Sequence, residues 1–189
     1  MNTFDVAVVG AGMVGAALAL ALAREGVDVA VIEPRAPKLW NAQDEVDLRV
    51  VALAPSSVEL FGRLDDWKEI SAARAGAYRR MRVWDALAPG ELQFDAADEG
   101  RAALGWIVEN RLIQSVLWQA LQREARIMLH CPAKVTATDA TDDRRTLTLD
   151  DGSAISARLV VAADGAASAL RGMLGIATRD HDYGQRALV

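Results

Sequence analysis

Phe4 to Val9 is a continuous apolar run interrupted only by Asp5 and rich in Val, the pattern of a parallel strand buried on both faces. GAGMVG follows (Gly10 to Gly15), and residues 16–26 (AALALALAREG) then carry strong helix formers and end on Gly26. That composition predicts a helix with a glycine stop. Asp28 to Glu33 (DVAVIE) predicts a second strand, closed by Pro34. Residues 1–34 therefore read as one strand–helix–strand unit.

The remainder is more broken. Residues 34–47 form a loop rich in Pro, Asn and Asp. Leu48 to Leu53 is extended, and Pro55 opens a helix through Leu64. Tyr78 to Leu87 and Glu91 to Phe94 predict strands around a Pro89-Gly90 turn, and Gly105 to Val108 another. Asn110 is expected to cap a helix running to about Ala125. Its apolar positions, Leu112, Val116, Ala120 and Ile113, Leu117, Leu121, share one face. Arg126 to Leu129 is a strand. Three extended segments follow between Ala133 and Val161, with a turn at Asp150-Asp151-Gly152. Arg158 to Ala162 reads as a buried strand running into Asp164-Gly165, then a short helix reaches Leu174. Tyr183 to Val189 reads as the start of a further extended segment, so the chain is expected to be part of a longer protein.

Composition narrows the function classes. Hydrophobic residues make up 52% and charged residues 25% of 189 positions, which is globular rather than disordered. The net charge of −5 argues against a nucleic-acid footprint. Lysine occurs only at Lys38, Lys68 and Lys134, so no Lys-rich tract marks an anionic membrane. One cysteine, Cys131, excludes an intrachain disulfide framework and any CxxC pair, and with His130 and His181 it makes a poor metal set, so no metal site is expected. Val6 to Ala23 is eighteen residues without a charge, near the length of a membrane span. Its three glycines, its alanine bias and the absence of a preceding Lys or Arg favour the strand–turn–helix reading instead.

The chemistry begins at Gly10, Gly12 and Gly15, with Ala19 four residues on and Glu33 at the end of the second strand. Gly10 permits the tight turn, Gly12 lets backbone approach a pyrophosphate, and Gly15 with Ala19 lets the helix pack close to the strand. The helix N-terminus offers free N–H groups and partial positive charge to phosphates. Glu33 can accept from both ribose hydroxyls and would repel a 2′-phosphate. The pattern predicts a bound adenine dinucleotide, with FAD and NAD both open on this motif alone. Asp47-Leu48-Arg49 reads from the residues alone as a surface charge pair. Asp164-Gly165 through Arg171 (DGAASALR) reads either as a strand-to-helix turn capped by Asp or as a ligand loop, because open α/β sheets bind ligands at the C-terminal ends of their strands. The five tryptophans (Trp40, Trp67, Trp84, Trp106 and Trp118) are expected to be packing residues, and Cys131 a small buried one. No GxSxG elbow surrounds Ser56-Ser57, which leaves a hydrolase without support.

Taken jointly, GAGMVG with Glu33, DLR at 47–49 and ADGAASALR at 163–171 resemble the class A flavoprotein aromatic hydroxylases, of the p-hydroxybenzoate hydroxylase type. MRVWD (81–85), FDAAD (94–98), GWIVEN (105–110) and LWQAL (117–121) resemble the ubiquinone-biosynthesis hydroxylases within that class, nearest the branch acting on the demethoxy-ubiquinol ring. The resemblance implies an α/β, Rossmann-like FAD-binding domain: a parallel sheet plus an antiparallel β-meander, truncated before the substrate domain is complete. Residues 1–189 would be the N-terminal part of that domain, with 78–108 contributing strands toward the substrate-domain side. Gly10, Gly12 and Gly15 would hold the FAD pyrophosphate and Glu33 the adenosine ribose. Arg49 would contact the FAD phosphates or ribityl chain, and Asn110 would be a polar FAD contact. Asp164 would bridge FAD and reduced-nicotinamide binding, with Arg171 closing its motif.

The family's chemistry is hydroxylation of an electron-rich ring through a flavin C4a-hydroperoxide, with NAD(P)H or another reductant as electron donor. The implied substrate is a polyprenylated phenol or quinol. The implied setting is cytoplasmic, peripheral to the inner membrane, alone or with other ubiquinone-biosynthesis proteins. A later Gly-Asp motif and a substrate-covering sheet, both family features, fall outside these residues, so the chain is expected to be inactive alone, and no catalytic acid or base is named. Two other readings stay open: an NAD-binding module of a dehydrogenase, and a non-catalytic truncated flavoprotein fold.

Overall fold

The computed structural model describes residues 2–87 and 89–186. In chain order the elements are β1 (Asn2–Val9), α1 (Met13–Arg24), β2 (Val29–Ile32), β3 (Val50–Leu53), α2 (Pro55–Arg63), α3 (Trp67–Arg74), β4 (Ala75–Tyr78), β5 (Arg80–Trp84), β6 (Glu91–Asp95), β7 (Gly105–Glu109) and α4 (Asn110–Arg123). They continue with β8 (Ile127–His130), β9 (Val135–Ala140), β10 (Arg145–Leu149), β11 (Ala154–Ala162) and α5 (Ala169–Met173).

The main sheet has the order β8-β2-β1-β11-β10-β9. The first four strands in that order pair in parallel, whereas β11, β10 and β9 form an antiparallel meander. A fold of this mixed kind, α/β with a parallel sheet and a β-meander, is what the sequence predicts. Its central strand explains the unbroken apolar run. Val6 and Val8 face α1 and α4 in one core cluster, while Ala7 and Val9 face Leu147, Ile155 and Leu170 in another. Both faces are therefore covered, so no position alternates to polar. On α1 the buried residues are mostly alanine (Ala16, Ala17, Ala19 and Ala23), which lets the helix lie close to the strands beneath it and to α4. A separate three-stranded sheet, β3-β7-β4, and the two-stranded ribbon β5-β6 complete the chain.

Several expectations are corrected. Helix α3 and strand β4 occupy residues that the sequence pattern left unassigned; α3 buries only Ile70 among charged neighbours, so its apolar signal is weak. Of the single strand expected from Tyr78 to Leu87, Tyr78 ends β4 and Arg80–Trp84 form β5, in a different sheet, while residues 85–87 are not extended into it. Only the first half of β11 is buried: β10 pairs with it from Ala154 to Ala157 alone, and Leu159 beyond that point is 56% exposed. Trp84 is 64% exposed on the ribbon, with the Arg82 guanidinium 5.4 Å from its ring centre, so it is not a packing residue. Cys131 is half-buried. Of the extended segment expected at 183–189, residues 183–186 form no strand and 187–189 lie outside the described residues.

Where the α2–α3 turn meets the C-terminal ends of α1 and α4, Asp66 is 5% exposed and its Oδ2 has no hydrogen-bond partner among the described residues. Burial raises its carboxyl from 3.8 to about 6, against the opposing pull of Arg24 and Arg123 and with a lesser push from Glu69 and Asp65. A raised folded-state value means that the native protein holds this proton more tightly than the unfolded chain does. The resulting stabilisation is complete below pH 3.8 and is lost as pH rises through about 6. Asp66→Asn should therefore be more stable than the parent protein by about 1–2 kcal/mol at pH 8, with the gap closing toward pH 4. Denaturant unfolding across that range checks it; a gap independent of pH would contradict the burial argument.

Candidate dinucleotide-binding site

The GAGMVG segment is a bend between β1 and α1, and three backbone segments converge on it. Gly10 donates its N–H to the Ile32 carbonyl (2.8 Å), and Ala163, just past β11, donates to the Val9 carbonyl (2.7 Å). Gly10 sits at φ +102°, and a Cβ there would run into the Ala163 backbone and lie 2.9 Å from the Asp164 Cα. A Cβ on Gly15 would strike the Gly10 carbonyl and lie 3.0 Å from the Ala163 side chain. Gly12 is different: a Cβ there would meet nothing within 4 Å, because its Cα faces open space. Gly12 is also the N-cap of α1, with no side-chain cap and no acidic residue in the first turn. The first N–H groups of the helix are thus left for a ligand.

Glu33 turns back to this bend. Its Oε2 accepts from Ala11 N–H (2.8 Å) and its Oε1 from Arg35 N–H (3.1 Å). A groove of about 610 Å³ runs between them, walled by Gly10, Gly12, Glu33, Asp164 and Gly165, with Arg35 and Lys38 contributing positive charge and Gln114 a neutral amide. Asp164 uses one oxygen to accept from Leu170 N–H (3.2 Å) at the start of α5, while its Oδ1 is buried with no partner among the described residues. An open glycine, an uncapped helix N-terminus, an aimed carboxylate and an orphaned acceptor in one groove suit a diphosphate flanked by sugar hydroxyls.

The structure does not bring every sequence-predicted residue into this wall. Arg171 folds back, donating to the Ala166 carbonyl (2.7 Å), while its N–H donates to Ser168 Oγ (3.0 Å); it braces the turn after Asp164 from outside the groove. Asn110 is not the cap of α4. That position belongs to Glu109, whose extended backbone (ψ 131°) makes it the last non-helical residue. Asn110 is the first helical residue; its N–H donates to the Arg49 carbonyl (2.9 Å) and its Oδ1 is buried without a partner among the described residues. Arg49 is exposed, outside the groove wall, and its side chain has no partner among the described residues.

Two residues in or near the site escaped the sequence reading. Gln114 follows Asn110 by four positions, one helical turn along the same face of α4, and that spacing was the available signal. Glu109 carried none, because what identifies it is burial: it is 2% exposed and ion-paired to Arg74 at 3.1 Å. Burial, and then the Glu33 charge, push the Cys131 thiol up, which suits a packing side chain rather than a nucleophile. Among the described residues no helix is long and apolar enough to cross a membrane.

Residues 3–187 match the FAD binding domain family. The chain is 39% identical over 185 residues to the 3-demethoxyubiquinol 3-hydroxylase of Escherichia coli (strain K12), covering 98% of this chain and 47% of that protein. It is 31% identical over 203 residues to the mitochondrial ubiquinone biosynthesis monooxygenase of Homo sapiens, covering 100% of this chain and 43% of the relative. Thus the chain spans about half the length of the curated relatives it matches. Among solved structures, the p-nitrophenol 4-monooxygenase of Pseudomonas putida DLL-E4 superposes with a TM-score of 0.74 at 24% identity, over 93% of this chain and 44% of that one, which shows a shared fold.

Gly12 and Gly15 can be told apart by stability. Gly15→Ala replaces a helical glycine and would ordinarily gain about 1 kcal/mol. The clash with Gly10 and Ala163 should reverse the sign, to a loss of about 1–3 kcal/mol. Gly12→Ala should stay within about 0.5 kcal/mol of the parent protein. Chemical denaturation of the two variants checks the assignment; a stable Gly15→Ala would refute it.

Proposed function

The chain belongs to the FAD-binding domain family, and we propose that it is the N-terminal part of an FAD-dependent monooxygenase that hydroxylates the aromatic ring of a polyprenylated ubiquinone precursor. The observation that carries the reading is the single groove shared by the open Gly12, the uncapped start of α1, Glu33 and Asp164. The names of the relatives, both of ubiquinone biosynthesis, support the substrate class.

Each residue has a defined task in this reading. Gly12 leaves the space that a diphosphate occupies, and the N–H groups of the first α1 turn donate to its oxygens. Gly10 and Gly15 hold that turn against Ala163 and so keep Asp164 beside it. Glu33 accepts from the adenosine ribose hydroxyls; its carboxylate is already oriented by the Ala11 and Arg35 N–H groups. Asp164 directs its free oxygen at a hydroxyl or amide donor on the cofactor, and Arg171 fixes the turn that carries it. Arg49 adds a cation for the phosphates or ribityl chain, and Asn110 an amide at the base of α4.

FAD supplies the oxygen-activating redox chemistry when bound, with NAD(P)H or another reductant as electron source. The chain's own part is to grip the cofactor by its adenosine and diphosphate. We place the substrate-facing strands at residues 78–108. In the ribbon β5-β6, Met81, Val83, Leu92 and Phe94 are each 44–62% exposed on one face, which supports a covering partner sheet there. A polyprenyl tail needs an apolar route, which argues for work at a membrane surface.

Glu33→Ala in the full-length protein should weaken FAD binding by about 1–3 kcal/mol, the scale of a lost charged hydrogen bond. Titration of the apoprotein with FAD, followed by flavin fluorescence, reads the change. Unaltered affinity would remove the ribose role, and a full-length protein that takes up no flavin would remove the function.

A further inference from the structure

We propose that Glu109 is a positioning residue for this cofactor site: its buried carboxylate fixes the 40–49 strap and so sets the backbone from which Arg49 reaches the FAD. The inference rests on the FAD reading above and adds to it a residue that touches no ligand.

The strap leaves the groove after Lys38 and returns to β3 at Val50. It contains no helix or strand; Trp40 at its start packs on the core, but Leu48 near its end is 92% exposed, so packing does not fix the end that carries Arg49. Glu109 does. One carboxylate oxygen accepts from Asp47 N–H (2.8 Å); the other accepts from Arg74 (3.1 Å) and from the Trp40 indole N–H (3.4 Å). Arg74 extends the clamp, donating to the Ala42 carbonyl (2.9 Å) and lying 5.3 Å from the Trp40 ring centre.

The connection from Glu109 to Arg49 is a closed ring. Glu109 holds the Asp47 backbone, the Asp47 carboxylate accepts from Arg49 N–H (2.9 Å), and the Arg49 carbonyl accepts from Asn110 N–H (2.9 Å). Asn110 is the residue after Glu109, so the ring returns to its start. Arg49 is therefore held by both its backbone N–H and its carbonyl while its guanidinium remains exposed and, among the described residues, without a partner. A side chain that packs on nothing gains nothing from such a rigid base unless it must meet something at a fixed place. Fold stability alone is a weak reason for the arrangement. A buried ion pair is frequently no better for stability than apolar residues of the same volume. What a charged, directional network adds is geometry.

A double-mutant cycle in the full-length protein separates positioning from general stabilisation. FAD affinity is measured for Arg49→Ala, Glu109→Gln and Asp47→Ala singly, and for Arg49→Ala combined with each of the others; thermal melting is recorded alongside. Each single variant should raise the FAD Kd by about tenfold or more. In the Arg49→Ala background, Glu109→Gln and Asp47→Ala should add less than about twofold, although Glu109→Gln lowers the melting temperature equally in both backgrounds. Fold-changes that multiply would overturn the proposal, because Glu109 would then act on FAD by another route. So would an unchanged Kd in Arg49→Ala alongside a raised one in Glu33→Ala, a result that spares the FAD site itself. Unchanged affinity in both Arg49→Ala and Glu33→Ala would overturn the site and the proposal together. Should Glu109→Gln not fold, Asp47→Ala carries the cycle, since it cuts the same ring where the side chain is less buried.

Discussion

The β1 exit, the first turn of α1 and the β11 exit approach so closely because two of the contact points carry no Cβ. Gly10 would collide with the backbone at Ala163–Asp164, and Gly15 with Gly10 itself and the Ala163 side chain. Were either larger, α1 would have to move outward, and its N-terminus would no longer open beside Asp164. The groove depends on this crossing, because its opposite walls belong to segments more than 150 residues apart in the chain, which only the parallel pairing of β1 with β11 brings together. Gly12 occupies the same bend yet presses on nothing. The bend therefore separates two uses of glycine, one to admit backbone and one to leave room.

A second constraint acts at the other end of the groove. The strap from Pro34 to Arg49 would be free to swing if only its ends were fixed. Instead Trp40 N–H donates to Ser115 Oγ (3.1 Å), Arg111 pairs with Asp44 (3.2 Å), and Glu109 gathers the rest. Helix α4 thus does two things. Its apolar residues Leu112, Ile113, Val116 and Leu117 fill the core against α1, and its Arg111 and Ser115 hold the strap.

How much of this was legible in the sequence follows from how local each interaction is. The βαβ unit and its acid were readable because helix, strands, glycines and Glu33 lie within about three dozen consecutive residues, the span of such a unit. The meander was readable from its turn at Asp150-Asp151-Gly152. Asn110 was misjudged as a cap because residue type cannot say which residue has the extended backbone; the cap role went to Glu109. Trp84 was misjudged because aromatic character alone does not reveal that a ribbon face is uncovered. Glu109 itself was invisible, since its partners lie 35, 62 and 69 positions away and nothing in the local pattern marks it as buried.

Three carboxylates show why burial rather than residue type assigns roles here. Glu33 sits at a groove rim, held by two backbone N–H groups, which leaves acceptor capacity for a ligand. Glu109 is deeper, and its oxygens are shared among a guanidinium, an indole and a backbone N–H, which leaves little capacity for anything else. Asp66 is nearly as buried as Glu109 but has an oxygen with no donor among the described residues, and burial raises its carboxyl to about 6. The difference lies in what meets each carboxylate: solvent and backbone for the first, a fixed cation for the second, and only the distant pull of Arg24 and Arg123 for the third. The first arrangement keeps acceptor capacity open to a ligand. The second spends it on bracing backbone, and for that reason Glu33 and Glu109 cannot exchange places although both are glutamates.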